Sequence, residues 1–119
     1  MLIGLTGRPG AGHDVVADYL ARAHAFTPTP RITDELIDQL SGHHVVVTEI
    51  RDHIDADILV SRGGILVHLC DPCLPDFGPE HGIVLRDIDH QVTVTADYFR
   101  AFDVLDRVIG DAEFSGLAA

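Results

Sequence analysis

The chain contains no lysine. All eight of its basic residues are arginine, set against 19 aspartates and glutamates, and the net charge over 119 residues is −11. So acidic a surface excludes general nucleic-acid binding, which rests on a basic face that neutralises phosphates. It favours solubility and a basic protein partner instead. Cysteine is scarce too: Cys70 and Cys73 stand in one C-x-x-C pair with no second pair to complete a zinc ribbon. His68, Asp71 and His81 could complete a site on paper. The reading adopted is no metal, with two small residues in a proline-rich loop. Long apolar runs are missing, so no membrane span of ~18 residues is expected. "MLIGLTGRPG" lacks the basic and long apolar regions of a secretory signal. These absences lead to the expectation of a soluble, cytoplasmic protein.

What is present fits one small globular domain over 1–119, with a hydrophobic fraction of 46%. "LIGLT" (Leu2–Thr6) reads as a buried parallel strand. "HDVVADYLARAHAF" follows as a helix, with Val16, Tyr19, Leu20 and Ala23 at helical spacing and Asp14 in the first turn. The prolines of "TPTP" exclude helix and central strand there. "ITDELIDQLSG" predicts a helix of about three turns, with Gly42 just past its end. "HVVVTEI" and "ILVHL" are further strands, separated by a short helix in "IDADILVSRGG". "QVTVT" is a fourth strand. "ADYFRAFDVLDRVIG" is a last helix with Phe99, Phe102, Leu105 and Ile109 inward, and 111–119 is a frayed tail. The alternation predicts an α/β fold of three layers, with a mainly parallel sheet of about four strands flanked by helices.

"GRPGAGHD" lies between the first strand and the first helix. A loop that cradles nucleotide phosphates reads G-x-x-x-x-G-K-[ST], and its strand–loop–helix setting is what gives such a match weight. Gly7 and Gly12 stand in register with it and Gly10 is extra, but the lysine position holds His13. Backbone amides and a helix N-terminus bind anions without lysine. Phosphate-binding candidates are therefore Gly7, Arg8, Gly10, Ala11, Gly12, His13, Asp14 and Val15. Positive φ and close packing at the turn explain the glycines without any ligand.

Several stretches together resemble the bacteriophage-type deoxynucleoside monophosphate kinases, P-loop enzymes that move a phosphoryl group from ATP to a deoxynucleotide. "LIGLTGRPGAGHDVVADYLARAHAF" resembles their opening, G-L-T-G-x-x-G-S-G-K-D-T-x-A-D-Y-L. "VVVTEIRDHIDADILVSRGGILVHL" resembles their V-T-D-V-R-F-x-N-E-A-D…G-G segment. "HGIVLRDIDHQVTVTADYFRAFDVLDRVI" is similar to an H-x-S-E segment with the last strand and helix. The resemblance covers most of the chain, in order. It implies a P-loop fold and the use of ATP and Mg²⁺. It also implies that Asp14 matches the aspartate after the loop lysine, and that Glu49 stands at the acidic position ending a core strand. Arg51 would meet the substrate phosphate, with Asp55 and His81 beside the substrate. The remnant catalytic set is His13, Glu49 and Arg51.

The departures all remove chemistry. His13 replaces the lysine, Val15 the hydroxyl, and Ile83 and Val84 the serine and glutamate of H-x-S-E. The substrate-holding segment is reduced to "TPTPRITDELIDQLSG", and the lid to "CDPCLPDFGPEHG", which has no arginine. Phosphoryl transfer depends on neutralising charge on the transferred group. Losing such donors removes ~3–4 kcal/mol of transition-state stabilisation each. The expectation is a catalytically inactive, kinase-like protein that binds nucleotide or phosphate or regulates a partner. An active deoxynucleoside monophosphate kinase and a phage protein that modulates a host protein are the alternatives. Open edge strands leave room for a homodimer. Glu49 and Arg51 have a plainer alternative as a strand-end ion pair.

Overall fold

The computed structural model describes residues 1–7, 12–39, 42–70, 83, 89–94 and 98–118. Its elements are β1 (Leu2–Thr6), α1 (His13–His24), β2 (Thr27–Thr29), α2 (Asp34–Gln39), β3 (Val45–Val47), α3 (His53–Ser61), β4 (Ile65–Cys70), β5 (His90–Thr93) and α4 (Phe99–Ala118). All five strands run parallel in the order β2-β3-β1-β4-β5. The α/β class and the three layers are as the sequence predicts, with one more strand.

Side-chain alternation divides the sheet between two cores. Ile3 and Leu5 of β1, Val46, Val67, Leu69 and Val92 pack on one face with Val16 and Leu20 of α1 and Leu105 and Ile109 of α4. Val45, Val47 and Leu66 face the other way, against Ile50, Ala56 and Leu59. β1 lies at the centre and is buried on both sides, which is why "LIGLT" is an unbroken apolar run.

The extra strand is "TPT", an edge position. Thr27 N–H donates to the His44 carbonyl and the Thr29 carbonyl accepts from Thr48 N–H, at 2.8 and 2.9 Å. Alternate residues of a strand address alternate sides. Thr27 and Thr29 therefore bond β3, and Pro28, which has no N–H to give, is left on the outer side. Proline is tolerated in a sheet at just such a place.

Three further expectations need correction. Residues 111–118 are not a frayed tail but continue α4 to Ala118. Phe99 is not inward: it is 75% exposed, because the buried stripe of α4 runs through Ala101, Leu105, Val108 and Ile109. Ala23 is likewise exposed, and α1 buries Val16, Ala17 and Leu20. α2 is described over Asp34–Gln39, and Leu40 and Ser41, the next residues of its pattern, lie outside the described residues.

Local signals explain the helix ends. Asp52 caps α3, its carboxylate accepting from the Ile54 and Asp55 amides at 3.0 Å each. A cap of this kind contributes about 1 kcal/mol. Gly63 closes α3 in the left-handed region, at φ 77°. On the far side, α1 and α4 are tied at the surface. Tyr19 stacks on Phe102 at 3.9 Å and donates its hydroxyl to Asp106 at 2.6 Å, while His24 Nε2 meets the same carboxylate oxygen at 2.7 Å. The hydrogen bond to Asp106 pushes the Tyr19 phenol up to about 12, and the same bond holds the Asp106 carboxyl below its ordinary range.

Candidate functional site

The chain leaves β1 toward β2 and leaves β3 toward β4, in opposite directions along the sheet. The connection through α1 passes over one face and that through α3 over the other. Where parallel-sheet connections diverge in this way, a crevice opens at the carboxyl ends of the strands. The segment after β3 lies directly against the end of β1, with Ile50 N–H donating to the Leu5 carbonyl at 3.3 Å. Topology therefore brings Gly7, Gly12, His13, Asp14 and Val15 to the same edge as Glu49, Arg51 and Asp55. Arg8, Gly10, Ala11 and His81 lie outside the described residues, as do Cys73 and Asp71.

The two described glycines of the loop are required by the chain itself. Gly7 has φ 129°, and a Cβ there would sit 2.5 Å from the Leu69 carbonyl oxygen of β4. Gly12 has φ 102°, and its Cβ would meet Val94 and Tyr98 at 3.1 and 3.2 Å. Both glycines thus face neighbouring protein atoms and positive φ, conditions that other residues meet only under strain. Gly12 is the N-cap of α1 and has no side chain to offer, so among the described residues no N-cap side chain covers the first-turn amides. Such an end favours negative charge.

His13 is half-buried at the start of α1. Its ring is held against the backbone of Thr6, with His68 close by and Asp14 and Glu49 on the outer side. Burial pushes its imidazolium below the ordinary value. The Thr6 carbonyl and the Asp14 carboxylate oppose that shift, His68 adds to it, and Glu49 opposes it more weakly. The ring is therefore neutral at pH 7, where a phosphate-binding lysine would carry charge. Val15 is 40% exposed and brings no hydroxyl to the turn.

Asp55 does not reach outward. Its carboxylate accepts from the Arg51 backbone N–H at 3.1 Å, and the Arg51 guanidinium lies 4.0 Å from the same oxygen. The strand-end ion pair expected as an alternative between Glu49 and Arg51 thus forms with Asp55 instead. Glu49 is exposed and hydrogen-bonds to none of the described residues. Beside α1 runs an open groove of about 310 Å³, lined by Asp14 and Asp18 of α1 and by Thr29 and Thr48 of the neighbouring strand ends. Asp18 is paired with Arg22 at 3.1 Å. Ile83, which stands where the resembled kinases have a serine, is buried in the core beside Leu59 and Leu66.

Two site residues escape a motif-based reading. Thr6 and His68 lie in otherwise apolar runs, are 2% and 1% exposed, and join through Thr6 Oγ1 and His68 Nδ1 at 2.8 Å. The signal for their pairing is a single polar residue in each buried run, Thr6 closing "LIGLT" and His68 inside "ILVHL", the latter singled out in the sequence only as a possible metal ligand. Cys70 is half-buried at the end of β4, with the Gln91 amide 3.1 Å from its sulfur. Among the described residues no group of three or more His, Cys, Asp or Glu side chains is placed to hold a metal ion, and no helix is long and apolar enough to cross a membrane.

The chain has no match among known protein families, curated proteins or solved structures.

The turn can be tested against ATP and Mg²⁺ on its own atoms. The uncapped first turn of α1 suits an anion. The remaining requirements are not met by the described residues. The side chain that would carry charge is a half-buried imidazole whose charged form burial disfavours, and the position that would offer a metal a hydroxyl is valine. The groove beside α1 carries the Asp14 and Asp18 carboxylates, the latter paired with Arg22. These residues do not fit a catalytic magnesium–nucleotide complex, and no transfer step follows from them.

Proposed function

We propose that this chain is a kinase-like domain that has lost phosphoryl transfer and acts by binding, with a phosphate-bearing ligand held weakly at the β1–α1 turn. The observation that carries the reading is the direction of His13. Its ring packs back on Thr6 and is neutral at pH 7, so the turn keeps its backbone and offers no fixed positive charge. Kinship with the resembled kinases is supported by the glycine turn joining a central parallel strand to a helix, at the edge where such folds take ligands. Loss of catalysis is supported by Val15 and by Ile83 in the core.

The binding half is tested by thermal unfolding with inorganic phosphate or ATP–Mg²⁺. A ligand at tenfold its Kd stabilises by about 1.4 kcal/mol, a rise of several degrees in a domain of this size. Val15→Asp should remove the rise. It adds a carboxylate where the anion would sit, at an exposed first-turn position where acid suits the helix. No rise with millimolar phosphate or ATP would move the function to contact with a host or phage protein.

A further inference from the structure

The side chains and strand backbone that line the groove beside α1 offer acceptors. From α1 come the carboxylates of Asp14 and Asp18, both exposed and one turn apart on the same face. From the strand ends come the hydroxyls of Thr29 and Thr48. Their own protons are directed to the Arg31 and Thr29 carbonyls, at 3.4 Å each, so they present lone pairs. The Thr48 N–H is taken by the Thr29 carbonyl at 2.9 Å, and the Thr29 N–H belongs to the ladder with β3. Pro28 and Pro30 have no N–H, and their rings with the methyls of Ala17 and Ala21 make the rest of the wall apolar.

The row of charges along α1 is incomplete. Asp18 pairs with Arg22, whose Nε lies 3.1 Å from its carboxylate. Asp14, one turn earlier, has no hydrogen bond or ion pair with the described residues. Carboxylates at i and i+4 repel each other, and a cation set beside them removes that cost.

We infer that this groove docks an arginine side chain presented by a basic protein segment. An anion entering it meets two carboxylates and hydroxyls whose protons are already bonded. A neutral apolar group strips water from the carboxylates and returns no hydrogen bond. A guanidinium brings five N–H donors in a planar fork that matches a carboxylate. Its methylene stem lies against the alanine and proline walls. The groove holds about 310 Å³ and is open to solvent, so it receives a side chain held by a partner surface and does not enclose a free small molecule. The net charge of −11 draws such a segment toward the chain. The inference uses the flank of α1 and not its first-turn amides, and it stands whether or not the β1–α1 turn holds a phosphate.

The test is a titration of the intact chain with the acetylated, amidated peptide Gly-Arg-Gly-Arg-Gly, followed by amide chemical shifts. The shifts should centre on Asp14, Asp18, Ala21, Thr29 and Thr48. Asp14→Asn combined with Asp18→Asn should weaken the peptide about tenfold. Asp57→Asn combined with Asp111→Asn removes the same charge from exposed positions outside the groove, and should weaken it less than about twofold. The same peptide with lysine in place of arginine should bind about threefold more weakly. Equal weakening by the two pairs of substitutions would reduce the binding to attraction by net charge and overturn the inference. Shifts spread over the whole acidic surface, equal affinity for the lysine peptide, or no shift at millimolar peptide would each overturn it too.

Discussion

Replacing Gly7 with alanine is expected to destabilise the fold by about 3 kcal/mol. Two penalties combine at this position. The backbone stands at φ 129°, and the new methyl would lie 2.5 Å from the Leu69 carbonyl oxygen. That oxygen belongs to the backbone of β4, a buried strand that cannot give way as a flexible side chain can. Gly63 separates the two effects. It is also left-handed, at φ 77°, but nothing lies within 4 Å of its missing Cβ. Gly63→Ala should therefore show strain alone, about 1 kcal/mol. Urea unfolding of both variants reads the difference. Equal losses at the two positions would mean that Gly7 is not pressed against β4.

The second large effect is at Leu59. Its side chain is wholly buried between two glycines, Gly4 of β1 and Gly64 ahead of β4. A Cβ on Gly4 would stand 2.8 Å from Ile50 Cγ1 and 3.0 Å from both Leu59 methyl groups, and one on Gly64 would stand 2.5 Å from the Leu59 Cγ. The glycines are recesses that the leucine fills. Leu59→Ala should cost about 3–4 kcal/mol, since the removed atoms leave a cavity in the smaller of the two cores. The same geometry predicts coupling. Gly4→Ala should be less damaging in the Leu59→Ala background than alone, by about 0.5 kcal/mol or more, because the vacated space relieves the Leu59 contacts and gives Ile50, the nearest neighbour at 2.8 Å, room to shift. Additive losses would contradict the interlocked packing, and so would a Leu59→Ala loss below about 1 kcal/mol.

These two sites show which parts of the molecule can be read from the chain alone. β1, β3 and β4 are legible because a strand buried on both faces is an apolar run, and "LIGLT", "VVV" and "ILVHL" are such runs. β2 is not, because three residues around a proline carry no strand pattern of their own; the hydrogen bonds from β3 make them a strand. The length of α4 escaped for a related reason. "DAEFSGLAA" contains two weak helix formers of its own, Ser115 and Gly116, yet α4 continues past them to Ala118. Phe99 shows the limit of periodicity, since its spacing fits the stripe while the helix turns it outward.

At the site, residue types were legible and directions were not. The spacing puts Gly7 and Gly12 in a turn, and their positive φ follows from the residue type. No spacing says that His13 points back to Thr6, that Asp55 folds onto the Arg51 backbone, or that Thr6 and His68 pair. Those facts come from strands far apart in sequence meeting at one edge. They bear directly on function, because burial disfavours the charged form of His13, where a solvent-facing ring would be half-charged near pH 6.5.

The central claim is that the turn has kept its shape and lost its chemistry. The direct measurement is ATP-dependent phosphorylation of each deoxynucleoside monophosphate by the purified chain, followed in a coupled assay with Mg²⁺ present. The account predicts no turnover above background with any of them. Robust turnover that His13→Ala abolishes would contradict it, and would show that a histidine at this position can serve phosphoryl transfer.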